Sequence, residues 1–304
     1  MNGFLVIDKQ PGMTSHDVVS RVRGILRQKK AGHTGTLDPF ATGVLPLALG
    51  EATKAIPFLD ESIKEYRAVM CLGISTDTQD CTGNVLKQLP WDNVSNEFLL
   101  ATIHKFKGIL KQTPPMFSAV KKDGIPLYRL ARRGEDVERT PREITVHDIS
   151  IESVKMPFVT FTVACSRGTY VRTLASDMGD AIGCGAHLVE LRRLRSGSFT
   201  LDSAVSLDRL NTLRENGGLE KVLLSPYNAL SHLGDASLTE TGAKKVRHGI
   251  SPSMDDFSAF PHEYRGRFCR LRLSFHERLL AVASYDPSTD SDNKKTFCLL
   301  RVFS

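Results

Sequence analysis

The sequence predicts an α+β protein, and three observations lead to that class. Strand-like runs recur along the whole chain, at 4–8, 64–73, 158–165, 270–274, 279–284 and 296–302. Helix-like runs, with apolar residues at helical spacing, lie between them at 14–25, 93–108 and 238–249. The 304 residues contain no internal repeat and no low-complexity tract, which leaves one large domain or two with ample chain to bury a core.

Residues 4–8 are a short apolar strand, closed by the turn signal Lys9-Gln10-Pro11-Gly12. Thr14, Ser15 and Asp17 cap the first helix, whose Val18, Val19, Val22 and Ile25 share a face. Residues 32–45, Gly-His-Thr-Gly-Thr-Leu-Asp-Pro-Phe-Ala-Thr-Gly-Val-Leu, hold three glycines and a proline in 14 positions. Such a stretch suits neither a regular helix nor a central strand. Asp38 is therefore expected on a shaped loop, between the basic run 27–30 and the apolar run 44–49. A loop held by a rigid scaffold is where catalytic groups tend to sit. Read alone, Asp38-Pro39 is also an ordinary turn former.

Residues 64–73 read as a strand, on which Tyr66 by itself is a half-buried tyrosine with its hydroxyl at the surface. The turn 77–83 carries Asp77 and Asp80, read as solvated rather than as metal ligands. Ser95 caps the helix at 93–108, with Phe98, Leu99, Ile103 and Phe106 on one face. From 121 to 142 there are seven Lys or Arg against four acids. Lys121 and Lys122 open this segment, and Arg129, Arg132 and Arg133 follow at helical spacing. Without a partner that face is simply solvated.

The run 158–165 alternates with period two and leads into 166–179, a strand-to-helix corner whose backbone N–H groups suit an anion. Small helices at 206–230 close the first unit, and the composition shifts at 231–235 as in a linker. A capped helix stopped by Gly249 and three strands complete the chain.

Several of these stretches together resemble the TruB family of tRNA pseudouridine synthases. The loop at 32–45 matches its signature nearly letter for letter. Glu65-Tyr66-Arg67-Ala68 resembles its second motif, and Pro114-Pro115-Met116-Phe117-Ser118-Ala119-Val120-Lys121 a third. Cys165-Ser166-Arg167-Gly168-Thr169-Tyr170-Val171-Arg172-Thr173-Leu174 and Leu191-Arg192-Arg193 with Gly197 and Phe199 follow in order. One departure is Gln10, where the family has proline; it touches a turn and not a reacting group.

The resemblance implies a pseudouridine synthase fold: a mixed, largely antiparallel central sheet with flanking helices, plus a small C-terminal PUA-like β-barrel. The implied domains are 1–230, with an RNA-binding insertion at about 113–142, and 235–304. It implies that Asp38 is the catalytic carboxylate, Arg172 its partner and Tyr66 an active-site residue. His33, Tyr170 and Leu191 would bind the substrate uridine, although Leu191 reads equally as core. Lys121, Lys122, Arg129, Arg132 and Arg133 would meet RNA phosphates. In the C-terminal unit Arg265, Arg267, Arg270 and Arg272 are the main support for RNA binding.

The implied partner is the T stem-loop of tRNA, with no cofactor, no metal and a monomeric chain. A net charge of +6 suits RNA without requiring it. The six cysteines read as buried free thiols, and no spacing among them suggests a metal site. The apolar runs are too short to span a bilayer and the N-terminus lacks a signal-peptide pattern, so the expected location is the cytoplasm. Three other functions compete with this one. A nucleoside or glycoside hydrolase would want a second acidic motif. An aspartyl-phosphate enzyme would want Mg²⁺ carboxylates near Asp38. An RNA-binding or folding module without turnover would not need Asp38, Tyr66 and Arg172 together.

Overall fold

The structure is a computed structural model and describes residues 1–264, 267–288 and 296–303. The main sheet is built from β1 (Gly3–Lys9), β2 (Ala31–His33), β3 (Thr42–Leu49) and β4 (Lys64–Leu72). Outside it, β5 (Ile74–Thr76) and β6 (Val85–Gln88) pair as a separate ribbon. The sheet continues with β7 (Gly108–Gln112); β8 (Lys121–Lys122) and β9 (Ile125–Pro126) form a small hairpin. Then come β10 (Arg142–Lys155), β11 (Phe158–Cys165), β12 (Ala186–Ser196), β13 (Phe199–Thr200), β14 (Ala204–Val205) and β15 (Leu223–Leu224).

These make an 11-stranded sheet whose main path runs β14-β1-β3-β12-β4-β11-β10-β7. Only the β14–β1 and β3–β12 pairs on that path are parallel, so the sheet is mixed and largely antiparallel. Central strands buried on both faces read as near-continuous apolar runs, and β3 is buried from Gly43 to Leu49.

Helix α1 (Ser15–Leu26) starts at Thr14, whose side chain accepts from the Asp17 N–H while Asp17 accepts from the Thr14 N–H. This capping box satisfies two otherwise orphaned donors. The helix buries Val18, Val19, Val22 and Leu26 in the same core as β1, β3, β4 and β11. α2 (Asn96–His104) is capped by Ser95 as expected, but it buries Leu99, Thr102 and Ile103 and leaves Phe98 48% exposed. One position is about 100° around a helix, enough to turn Phe98 off the buried face. The segment 113–142 holds the β8–β9 hairpin and the short α3 (Leu127–Ala131). Asp123 and Gly124 both have positive φ there, the signature of a two-residue hairpin turn.

Two expectations are corrected. The signature stretch was not expected to enter a central strand, yet residues 42–45 open β3, in the middle of the sheet. Gly43 makes this workable: at φ +98°, a Cβ there would sit 2.2 Å from the Arg193 carbonyl oxygen, and glycine lets β12 approach. Nor are the thiols uniformly buried. Cys71, Cys165 and Cys184 are, whereas Cys81 and Cys298 are exposed on a turn and on the outward face of an edge strand.

α4 (Val171–Ile182) follows β11, and α5 (Leu207–Glu215) and α6 (Pro226–Ala229) close the first unit. The C-terminal part holds β16 (Gly234–Leu238), α7 (Glu240–Arg247), β17 (Phe257–Ala259), β18 (Cys269–Phe275), β19 (Arg278–Tyr285) and β20 (Phe297–Val302). Its sheet is ordered β17-β16-β18-β19-β20, and among the described residues no β17–β20 pairing closes it into a barrel. Leu279, Val282 and Phe303 share an apolar cluster with Phe4, Val6, Val44 and Phe199, so the two sheets pack on each other.

Candidate active site

On its far side from β1, β3 pairs with β12 through residues 42–43 and with β2 through residues 47–49. Residues 34–41 enter at the interval between the two pairings, and buried polar groups hold them there. Ser15 Oγ accepts from the Leu37 N–H at 2.8 Å and donates to the Leu37 carbonyl at 3.2 Å. Lys9, fully buried, donates to the carbonyls of Gln10 (2.9 Å) and Pro39 (3.0 Å). Arg193, also fully buried, donates to Val44 O (2.6 Å), Gly35 O (3.1 Å) and Thr36 O (3.3 Å). Buried carbonyls need such partners, and here they fix the loop's shape.

Burial lowers the Lys9 ammonium to about 8, against the opposing pull of Asp38. The folded chain therefore releases the proton before the unfolded one does. Between about pH 8 and the ordinary lysine range the unfolded state binds more protons, so stability should rise with pH. Urea unfolding at several pH values should show this rise in the wild type and not in Lys9→Met.

Asp38, the candidate nucleophile or charge stabiliser, meets Arg172 at the end of this loop. Arg172 stands in the first turn of α4, 3% exposed. Its Nε lies 2.9 Å from Asp38 Oδ2 and its Nη2 3.3 Å from Oδ1. The same guanidinium donates to the Thr78 carbonyl (2.7 Å), Asp80 Oδ2 (3.2 Å) and the Phe117 carbonyl (2.9 Å). One side chain thus ties together the signature loop, the 77–83 turn and the start of the 113–142 segment.

Asp80, read from the sequence as solvated, joins this cluster instead. It is 3% exposed rather than solvated, with one oxygen on Arg172 and the other accepting from Thr78 and Thr82. An acid in a polar turn gives no sign in the sequence that an arginine 92 positions later will bury it.

Enclosure pushes the Asp38 carboxyl above its usual range, Arg172 pulls it back and Asp80 adds to the rise. A third of the Asp38 side chain remains open to solvent, which leaves room for a reacting group. Tyr66 is buried on β4, directly opposite Arg193 on β12, and its hydroxyl is raised by burial and lowered by Arg193. It was read alone as reaching the surface; it lies instead within the main core cluster.

His33 lies on β2 with a buried Nδ1 that has no hydrogen-bond partner. Burial, then Arg193 and His16, hold its imidazole below the usual value, hence neutral at physiological pH. Tyr170 precedes α4, and its backbone is clamped by Gln112, which accepts from its N–H (2.8 Å) and donates to its carbonyl (3.0 Å). Leu191 is 6% exposed and belongs to the main core cluster with Tyr66 and Ala68.

The basic candidates are placed elsewhere. Lys121, Lys122, Arg129, Arg132 and Arg133 are exposed on the β8–β9 hairpin, on α3 and in the turn that follows it. A groove of about 340 Å³ there is lined by Lys121, Lys122, Arg139 and Arg142 among others. In the C-terminal unit Arg267 and Arg270 are exposed, but Arg272 stacks on Tyr227 at 4.2 Å and pairs with Asp235 at 3.6 Å. Arg272 is thus engaged within the fold, and Arg265 lies outside the described residues.

Residues 23–171 match the model of the TruB family pseudouridylate synthase N-terminal domain. Residues 172–231 match that of the tRNA pseudouridylate synthase B C-terminal domain. The chain is 55% identical over 304 residues to the tRNA pseudouridine synthase B of Geotalea uraniireducens, covering 100% of this chain and 98% of that protein. It is equally similar to that of Geobacter sulfurreducens, at 55% with both chains covered 100%. Among solved structures it is similar to one in a Cbf5-Nop10-Gar1 complex, with a TM-score of 0.75 and 28% identity over 99% of this chain and 85% of that one. Both halves of the first unit are matched, the signature loop and Arg172 included, and the chain belongs to the TruB family of pseudouridylate synthases.

Proposed function

We propose that this isomerase is a tRNA pseudouridine-55 synthase, acting on the target uridine in the T stem-loop. The observation that carries the reading is the Asp38 carboxylate held by the buried Arg172 at the end of a rigidly anchored loop. The reaction breaks the C1′–N1 bond, rotates the uracil and joins C1′ to C5. Positive charge develops at the ribose, and a carboxylate there serves as nucleophile or as its electrostatic stabiliser. Arg172 keeps that carboxylate ionised despite enclosure and fixes its direction.

The base must leave its stack before it can react, at a cost of a few kcal/mol. A neutral His33 on the loop suits the space that the base vacates. Tyr66 is inferred to stack on the uracil and to serve proton transfer at C5, and Tyr170 and Leu191 to complete the pocket. We further infer two domains, 1–230 and 235–304, the second a PUA-like RNA-binding unit, in a monomeric cytoplasmic protein. Among the described residues no helix is long and apolar enough to cross a membrane.

Two substrates test the assignment: a tRNA transcript, and the same transcript with cytidine at the target position. Pseudouridine should appear at that one position in the first and nowhere in the second; product at other uridines would overturn it. The basic face is tested by changing Arg129, Arg132 and Arg133 together to Ala. Three lost phosphate contacts should lower the slope of log K against log salt by about 2–3, as a salt titration of RNA binding would reveal.

A further inference from the structure

Arg193 is fully buried, and among the described residues no carboxylate pairs with it. Three backbone carbonyls take its donors. Keeping an unpaired guanidinium in a protein interior is costly, and an apolar residue of similar volume would fill the space more cheaply. Its placement indicates what the charge is for. The three carbonyls, of Gly35, Thr36 and Val44, bracket the signature loop on both sides of Asp38. On the neighbouring strand its register partner is Tyr66, and residues directly opposite in an antiparallel pair project to the same face.

We propose that Arg193 is a positioning residue: it holds the Asp38 loop and the Tyr66 hydroxyl as one unit and supplies the positive charge against which Tyr66 takes the C5 proton. This rests on the pseudouridine synthase reading. After C1′ has joined C5, that carbon is tetrahedral and still carries its hydrogen. Tyr66, ionised beforehand by giving its own proton to water, takes this proton on its phenolate oxygen, and the C5–H electron pair closes the C5=C6 double bond. The C6=N1 pair moves onto N1, which takes a proton from water, so the proton lost at C5 is balanced at N1. Negative charge on the Tyr66 oxygen is unfavourable in a buried site unless a fixed cation faces it.

The surroundings offer no better-placed cation. Lys9 is committed to the Gln10 and Pro39 carbonyls, and the ammonium of Lys64 is lowered by burial. His33 is held neutral, while Cys165 and Asp38 both oppose the ionisation of Tyr66. Arg193 is the main influence that favours it.

The test compares Arg193→Lys, which keeps the charge, with Arg193→Gln, which keeps a donor and loses the charge. Both are assayed on T stem-loop RNA carrying C5-protiated or C5-deuterated uridine, with Tyr66→Phe as reference. Arg193→Gln should lose about 100-fold in kcat with little change in KM. It should gain a C5 deuterium isotope effect absent from the wild type, and its rate should climb as pH rises through the phenol range. Arg193→Lys should stay within about tenfold of wild type, with no new isotope effect.

Two variants equally slow, with the isotope effect and pH profile of the wild type, would reduce Arg193 to a scaffold residue and overturn the proposal. Should Arg193→Gln not fold, Arg193→Lys decides. A Lys variant within tenfold of wild type supports the proposal, and one as slow as Tyr66→Phe overturns it. A wild type that forms no pseudouridine sinks the functional reading instead.

Discussion

Asp38→Asn should abolish turnover and leave the protein no less stable. The loss expected is at least roughly 10⁴-fold in rate, ~5.4 kcal/mol of transition-state stabilisation, because an amide can neither attack C1′ nor carry the balancing charge. The stability half follows from the titration. Enclosure raises the folded carboxyl above its usual range, so its ionised form is disfavoured by folding. An acid with a raised folded value weakens the protein above that value, and removing the charge relieves the cost. Loss of the Arg172 contact acts the other way, but Arg172 keeps Asp80, Thr78 O and Phe117 O. The wild-type rate should accordingly fall with acid through a pH above the ordinary carboxylate range. A pH–rate profile and paired melting curves check both halves.

Arg172→Met should damage stability and chemistry together. It strips the cation from two carboxylates at once, and the side chain of Asp80 is only 4% exposed. Leaving a buried charge unpaired costs roughly 3–5 kcal/mol. Without the guanidinium, Asp38 loses the main influence that lowers its titration, so the acid limb of the rate should move to higher pH. Arg172→Lys should recover little, since one ammonium cannot span Asp38, Asp80 and the Phe117 carbonyl. RNA binding by the basic face should change much less than kcat. Urea titrations, RNA-binding titrations and pH–rate profiles of both variants would test this, and equal losses in binding and kcat would contradict it.

How legible all this was depended on which signal each part carried. Period-two alternation located β11, and capping residues located α1, α2 and α7 to within a few positions. β10 and β12 were passed over. β10 carries charged and polar residues on an exposed face and a bulge between Ile151 and Ser153, which breaks its alternation. β12 puts Arg192, Arg193 and Arg195 where apolar residues would announce a strand; Arg192 pairs with Asp8, Arg195 with Glu65, and Arg193 donates to the loop carbonyls. The parallel pairing of β3 with β12 has no local signal at all, being set by contacts 150 residues apart.

The site shows the same division. Motifs pointed to Asp38, Tyr66 and Arg172 as candidates. They did not point to Lys9, Asp80 and Arg193, the buried polar groups packed around them. Each is an ordinary polar residue in the sequence, and only burial against carbonyls or an ion pair gives it a role. Tertiary packing, not local pattern, creates that information.

The most direct test of the central claim uses tRNA carrying a C5-tritiated uridine in its T loop, mixed with wild type or Asp38→Asn without added metal or nucleotide. Tritium should be released by the wild type and not by the variant, with both proteins binding the RNA alike. Binding by both and release from neither would contradict the account and leave an RNA-binding protein without this chemistry.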